Sequence, residues 1–158
     1  MIISVIIRMN IFSIKRGPTK IGIIITVIAL IVVSAVTIYG MKEPEVAVFG
    51  NRVQIKAMYG LTIDFSDITN ISLIERSISK MDAGSRLNGA DTFGTLQGHF
   101  KSNTLGETLL FIRLNSSPTL RIERDNGKDI YLNFSNSEKT IMLFNELNTA
   151  INRGDNSG

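Results

Sequence analysis

Residues 52–65 read RVQIKAMYGLTIDF, and the period of this stretch decides the fold. Val53 and Ile55 alternate with Arg52, Gln54 and Lys56; beyond the Tyr59-Gly60 step, Leu61, Ile63 and Phe65 alternate with Thr62 and Asp64. Successive side chains of a strand point to opposite faces, so an apolar residue at every second position marks a strand with one face turned inward. Working outward, Ile71 and Leu73 continue the alternation with Asn70 and Ser72, while Val46 begins it and Gly50-Asn51 supplies an earlier reversal. These runs predict an antiparallel meander.

Strand patterns resume at residues 108–114, 120–124 and 128–134. Asn126-Gly127 joins the last two and predicts a hairpin closed by a type I′ turn, which needs positive φ at both central residues. Ile130, Leu132 and Phe134 are expected to face the core. Leu109-Leu110-Phe111-Ile112 lacks alternation, which predicts a central strand covered on both faces or one that crosses between sheets. The pattern then becomes helical. Ser135-x-x-Glu138 has capping-box spacing, and Ile141, Phe144, Leu147 and Ile151 recur every three or four residues, so one amphipathic helix is expected to close the fold. Residues 152–158 are polar and Gly-bounded and read as a disordered tail.

Residues 21–41 carry no charge and are dominated by Ile, Val, Leu and Ala. As a helix they extend about 31 Å, the thickness of a bilayer's hydrocarbon core. Gly17-Pro18 keeps the helix from starting earlier, and Lys42-Glu43-Pro44-Glu45 ends it. Residues 1–20 form a short basic segment. Lys15, Arg16 and Lys20 precede the apolar run and Lys42 alone follows, so the positive-inside rule predicts a single-pass cell-membrane protein with a cytoplasmic N-terminus and an extracytoplasmic domain. A secretory signal shares this pattern, with Val33-Ser34-Ala35 as a cleavage site, and Met9 serves as an alternative start to Met1.

Of the 17 basic residues, Arg8, Lys15, Arg16 and Lys20 fall before residue 42, where there is no acid. The later region therefore sets 13 bases against all 14 acids and is nearly neutral. That distribution speaks against a nucleic-acid partner, which calls for a broad basic face. Cysteine is absent, so neither a disulfide frame nor a thiolate metal site is available.

The stretch MYGLTIDFSDI at 58–68, an Arg86-Leu87-Asn88-Gly89 turn, Gly98-His99-Phe100 and the closing hairpin plus helix together resemble the bacterial pleckstrin-homology-like domains. The resemblance covers residues 46–151, with 42–45 as a linker. It implies a mainly β fold, an antiparallel barrel or two-sheet sandwich with one C-terminal capping α-helix, here preceded by one transmembrane helix. It also implies binding or scaffolding rather than catalysis. The basic loop used by phosphoinositide-binding relatives is not matched, because Gly50-Asn51-Arg52 offers a single cation.

Catalysis by general acid/base or nucleophile needs a poised His, Cys or close carboxylate pair. His99 is the only histidine and reads as a strand or loop residue with a local hydrogen bond. Asp64, Asp67 and Glu75 read as solvated faces and turn caps, and no phosphate-cradling glycine motif occurs. The expectation is no catalytic residue, no metal, no cofactor and no small-molecule substrate. Residues 75–100 read as a long loop with a short strand at 95–100, either a mobile insertion or a contact surface. In the second reading Arg76, Lys80 and Arg86 flank Met81, Leu87 and Asn88 and meet a protein partner or lipid. Two functions follow: a membrane-anchored interaction module, or a structural subunit acting through lateral association of its helix. The second has little support, since Gly22, Ala29, Ser34 and Ala35 make no G-x-x-x-G pattern. An enzyme is the least supported reading.

Overall fold

The computed structural model describes residues 19–155. Its first element, α1 (Lys20–Met41), is one unbroken helix. Thr19 caps it, the hydroxyl accepting the Gly22 N–H at 3.2 Å. Ile24, Leu30, Ile31 and Val33 are exposed, and the helix is long and apolar enough to cross a membrane.

The chain beyond Ala35 is a separate compact unit and is mainly β. A three-stranded antiparallel sheet has the order β1 (Glu45–Phe49), β2 (Arg52–Lys56), β3 (Leu61–Asp64), which is the meander expected from the period-two runs. A 3-10 turn at Phe65–Asp67 then passes the chain to a second sheet. That sheet contains β4 (Ile68–Ile74), β5 (Ser85–Thr92), β6 (Thr95–Ser102), β7 (Gly106–Arg113), β8 (Thr119–Arg124) and β9 (Asp129–Leu132), in the order β4-β8-β9-β7-β6-β5. A short helix α2 (Lys80–Ala83) precedes β5, and α3 (Ser137–Asp155) closes the fold.

Four expectations are corrected. The larger sheet is not wholly antiparallel: β9 inserts between β8 and β7 and runs parallel to β7, Leu109 facing Ile130 and Phe111 facing Leu132. Strand β8 itself supplies the crossover that a parallel pair requires. The β8–β9 hairpin forms, but Asn126 does not adopt the positive φ of a type I′ turn; Gly127 alone has it, and the Arg124 Nε donates to the Lys128 carbonyl across the wider loop at 2.9 Å. The 75–100 stretch is not a loop. It holds α2, β5 and most of β6, and Arg86-Leu87-Asn88-Gly89 lies within β5 rather than in a turn. Finally, α3 continues through Asp155 where a tail from residue 152 was predicted; residues 156–158 lie outside the described residues.

The core has two faces. Val53, Ile55 and Ile63 of the small sheet pack with Leu109, Phe111, Leu120, Ile122, Ile130, Leu132 and with Leu143 and Leu147 of α3. On the other face Leu96, Phe100, Leu110, Ile112 and Tyr131 are covered by Ile78 and Ala83. Strand β7 therefore buries both sides, Leu109 and Phe111 one way and Leu110 and Ile112 the other, which is why its sequence does not alternate. The apolar stripe of α3 follows the predicted one at Phe144, Leu147 and Ile151, with Thr140 and Leu143 in place of Ile141. Thr140, Leu143 and Leu147 are buried, Phe144 and Ile151 half-buried, and Ile141 exposed.

Strands β5 and β6 approach unusually closely at Gly89 and Gly98, which face each other. A Cβ on Gly98, at φ 116, would lie 2.4 Å from the Asn88 carbonyl oxygen. Only glycine fits that position without displacing backbone.

Candidate functional site

Where α1 ends, the chain is fastened to the β unit by side chains from two distant segments. The amide Nε2 of the buried Gln97 donates to the Lys42 carbonyl at 2.6 Å. Both the N–H and the hydroxyl of Ser135 donate to the Glu43 carboxylate, and Lys139 Nζ approaches it at 3.7 Å. Ser135 is therefore not the capping residue of α3: the Asn136 side-chain oxygen accepts the Glu138 N–H at 2.8 Å and takes that role. In the expected linker 42–45, Lys42 and Glu43 are tied to the β unit and Glu45 already begins β1.

Burial pushes the Glu43 carboxyl up, but the two Ser135 donors and the nearby Lys139 and Arg113 cations outweigh it and hold the group below its ordinary value of 4.5. A carboxyl depressed on folding stabilises the fold fully above its unfolded value and loses that contribution as pH falls through the folded value. The Ser135 amide resonance of the full chain in detergent should accordingly keep its hydrogen-bonded shift down to pH 4.5 and lose it below. The Glu43→Gln variant should show no such titration; a wild-type profile identical to that of Glu43→Gln would count against the fastening.

Beside the junction opens a cleft of about 460 Å³. Tyr39 and Lys42 line it together with Gln54, Lys56 and Thr62 of β2 and β3. These sheet residues alternate with the inward Val53, Ile55 and Ile63, so the cleft lies on the outer face of the small sheet. Glu45 and Lys56 stand directly opposite each other in the β1–β2 register. The lining residues include two lysines and two glutamates, and of the glutamates Glu43 has its carboxylate engaged by Ser135 and Lys139.

A second surface is the β5–β6 hairpin. Strand β5 ends the larger sheet, pairs only with β6 among the described residues, and bulges between Arg86 and Asn88. Leu87 at the bulge is 53% exposed. The hairpin closes through Phe93 (φ 47) and Gly94 (φ 80), a two-residue turn with both φ values positive. Asn or Gly is the ordinary first residue of such a turn, and a bulky aromatic there is strained. Phe93 is nonetheless 77% exposed, so the packing of this unit does not account for it.

The six predicted contact residues divide between settings. Arg76 is held by Asp82 at 2.8 Å, and Ser79 also bonds that carboxylate, so the segment is a braced turn. Arg76 first, then Ser79, lowers Asp82 to about 2. The side chains of Lys80 and Met81 lie outside the described residues. Arg86, Leu87 and Asn88 are exposed along β5, with Asn88 accepting the Tyr59 hydroxyl at 3.3 Å. His99, predicted to have a local hydrogen bond, has a buried Nδ1 with no hydrogen-bond partner among the described residues; its ring meets Tyr59 edge-on at 6.4 Å. Asp64 forms a surface pair with Arg52 at 2.6 Å.

Lys42, Glu43 and Glu45 of the cleft are near neighbours in sequence, but only the β1–β2 register brings Lys56 beside them, which is why the cleft was not legible. The exposed Phe93 before Gly94 was a legible signal once a two-residue turn was assumed. The chain matches no protein-family model, no curated protein and no solved structure.

Proposed function

We propose that the chain is a membrane-anchored, non-catalytic binding module whose pleckstrin-homology-like β unit takes an extended segment of a protein partner along β5. The observation that carries this reading is Phe93, a strained and exposed aromatic at the tip of the edge hairpin. Backbone strain of about 1–3 kcal/mol is retained where function uses it. An edge strand offers backbone groups to an added strand, and the exposed Leu87 and Phe93 offer apolar contacts for its side chains. The α1 helix, apolar throughout, supports anchoring. Lys15 and Arg16 just before it and Lys20 at its first residue, against Lys42 after it, support a cytoplasmic N-terminus and an outward β unit.

The protein has no cysteine, so Leu87→Cys carries a unique label. For orientation the label is placed at Met142→Cys, exposed on α3: modification in intact cells by a membrane-impermeant maleimide is expected, and an inaccessible thiol there would reverse the orientation. With a membrane-permeant benzophenone maleimide on Leu87→Cys, photolysis should give a discrete adduct that Met142→Cys does not give. Phe93→Asn should stabilise the hairpin by about 0.5–1 kcal/mol and yet remove the adduct. An adduct of equal yield in the Phe93→Asn background would sink the proposal, because strain relief would then be without functional consequence.

A further inference from the structure

We infer that the cleft beside the α1 junction binds a headgroup carrying both a phosphate and an amine, supplied by a phospholipid of the bilayer. The inference rests on α1 crossing the membrane. The uncharged run ends at Met41, and Tyr39, two residues earlier, has the amphipathic ring that settles at the headgroup level. Lys42 follows at once, and its carbonyl is tied to Gln97, so the cleft is held at the depth where lipid phosphates lie.

The lining suits that chemistry. Lys42 and Lys56 can both reach into one opening and are the cations for a phosphate. Of the two carboxylates, Glu43 is already engaged by Ser135 and Lys139. Glu45 remains beside Lys56 to receive an ammonium group. A purely anionic headgroup would bring its charge against Glu43 and Glu45, whereas a phosphate-plus-ammonium group matches both signs. A volume near 460 Å³ is in the range of small-molecule sites. Gly60 is required in the turn that borders the cleft, since a Cβ there would fall 2.2 Å from the Ile55 carbonyl oxygen and force the turn apart.

The test uses the full chain. Membranes washed with alkaline carbonate establish anchoring first. The protein is then reconstituted with phosphatidylethanolamine and phosphatidylglycerol in equal amounts, released in mild detergent and weighed by native mass spectrometry. One retained phosphatidylethanolamine is expected in preference to phosphatidylglycerol. Lys56→Ala and Glu45→Ala should each reduce retention about ten-fold, the loss of one charge-assisted contact, while Lys101→Ala, on β6, should leave it unchanged. Equal retention of the two lipids, or retention unaffected by Lys56→Ala and Glu45→Ala, would overturn the site. Soluble phosphoethanolamine, followed by the Gly60 and Thr62 amide resonances in detergent, separates the sources. Should carbonate release the protein, the anchor fails; shifts that Lys56→Ala abolishes would then support the site with a soluble ligand, and their absence would overturn it.

Discussion

Asn133→Leu is expected to lower the unfolding free energy by about 3–5 kcal/mol, from the orphaning of several buried polar groups at 1–3 kcal/mol each. Asn133 is 1% exposed. Its side-chain oxygen accepts the Arg113 N–H at 2.6 Å, and its amide nitrogen donates to the carbonyls of Arg113 and Ser116 and to the Thr119 hydroxyl at 3.2, 3.1 and 3.1 Å. Its own N–H donates to the Phe111 carbonyl at 3.1 Å, extending the parallel β7–β9 ladder. One residue thus closes the end of β7, the connection to β8 and the exit of β9. Leucine has a similar volume but satisfies none of the side-chain bonds. Urea unfolding of the detergent-solubilised full chain, followed by far-UV circular dichroism, should show a lower midpoint at unchanged slope. A loss below about 1 kcal/mol would mean that water replaces these bonds and that the hub is not closed.

Phe111→Ala is the second large effect, about 3–5 kcal/mol, because a buried ring is lost and the surrounding side chains only partly collapse into the space. Phe111 is 1% exposed and sits where both sheets and α3 converge, among Val53, Ile130, Leu132 and Phe134. The control is the other exposed extreme of the same residue type. Phe93→Ala at the hairpin tip should change stability by no more than about 0.5 kcal/mol, since a surface side chain leaves no cavity. Equal losses at the two positions would contradict the burial on which both the fold and the proposed contact surface stand.

The two experiments weigh different parts of the chain. Asn133 and Phe111 set the frame that holds β6, and β6 carries Gln97 at the junction and Gly98 against β5. Damage to the frame should therefore reach both candidate surfaces, whereas Phe93→Asn and Lys56→Ala each alter one surface and leave the frame intact.

Local periodicity determined much of this protein. The period-two runs around Val53, Ile63 and Ile122 place real strands, the uncharged run places α1, and the unbroken apolar stretch of β7 marks a strand buried on both faces. In each case the pattern repeats within one element, so neighbouring residues suffice to reveal it. Strand β5 was hidden because SRLNGADT has few β-branched or apolar residues; pairing with β6 and the close Gly89–Gly98 approach make it a strand. Asn133 looked like an outward polar residue between Leu132 and Phe134, and only the insertion of β9 beside β7 brings it to Arg113 and Thr119. Ser135 left its expected cap for Glu43, a residue 92 positions earlier in the chain. These outcomes depend on long-range register, which brings together groups whose separation along the sequence carries no local signature.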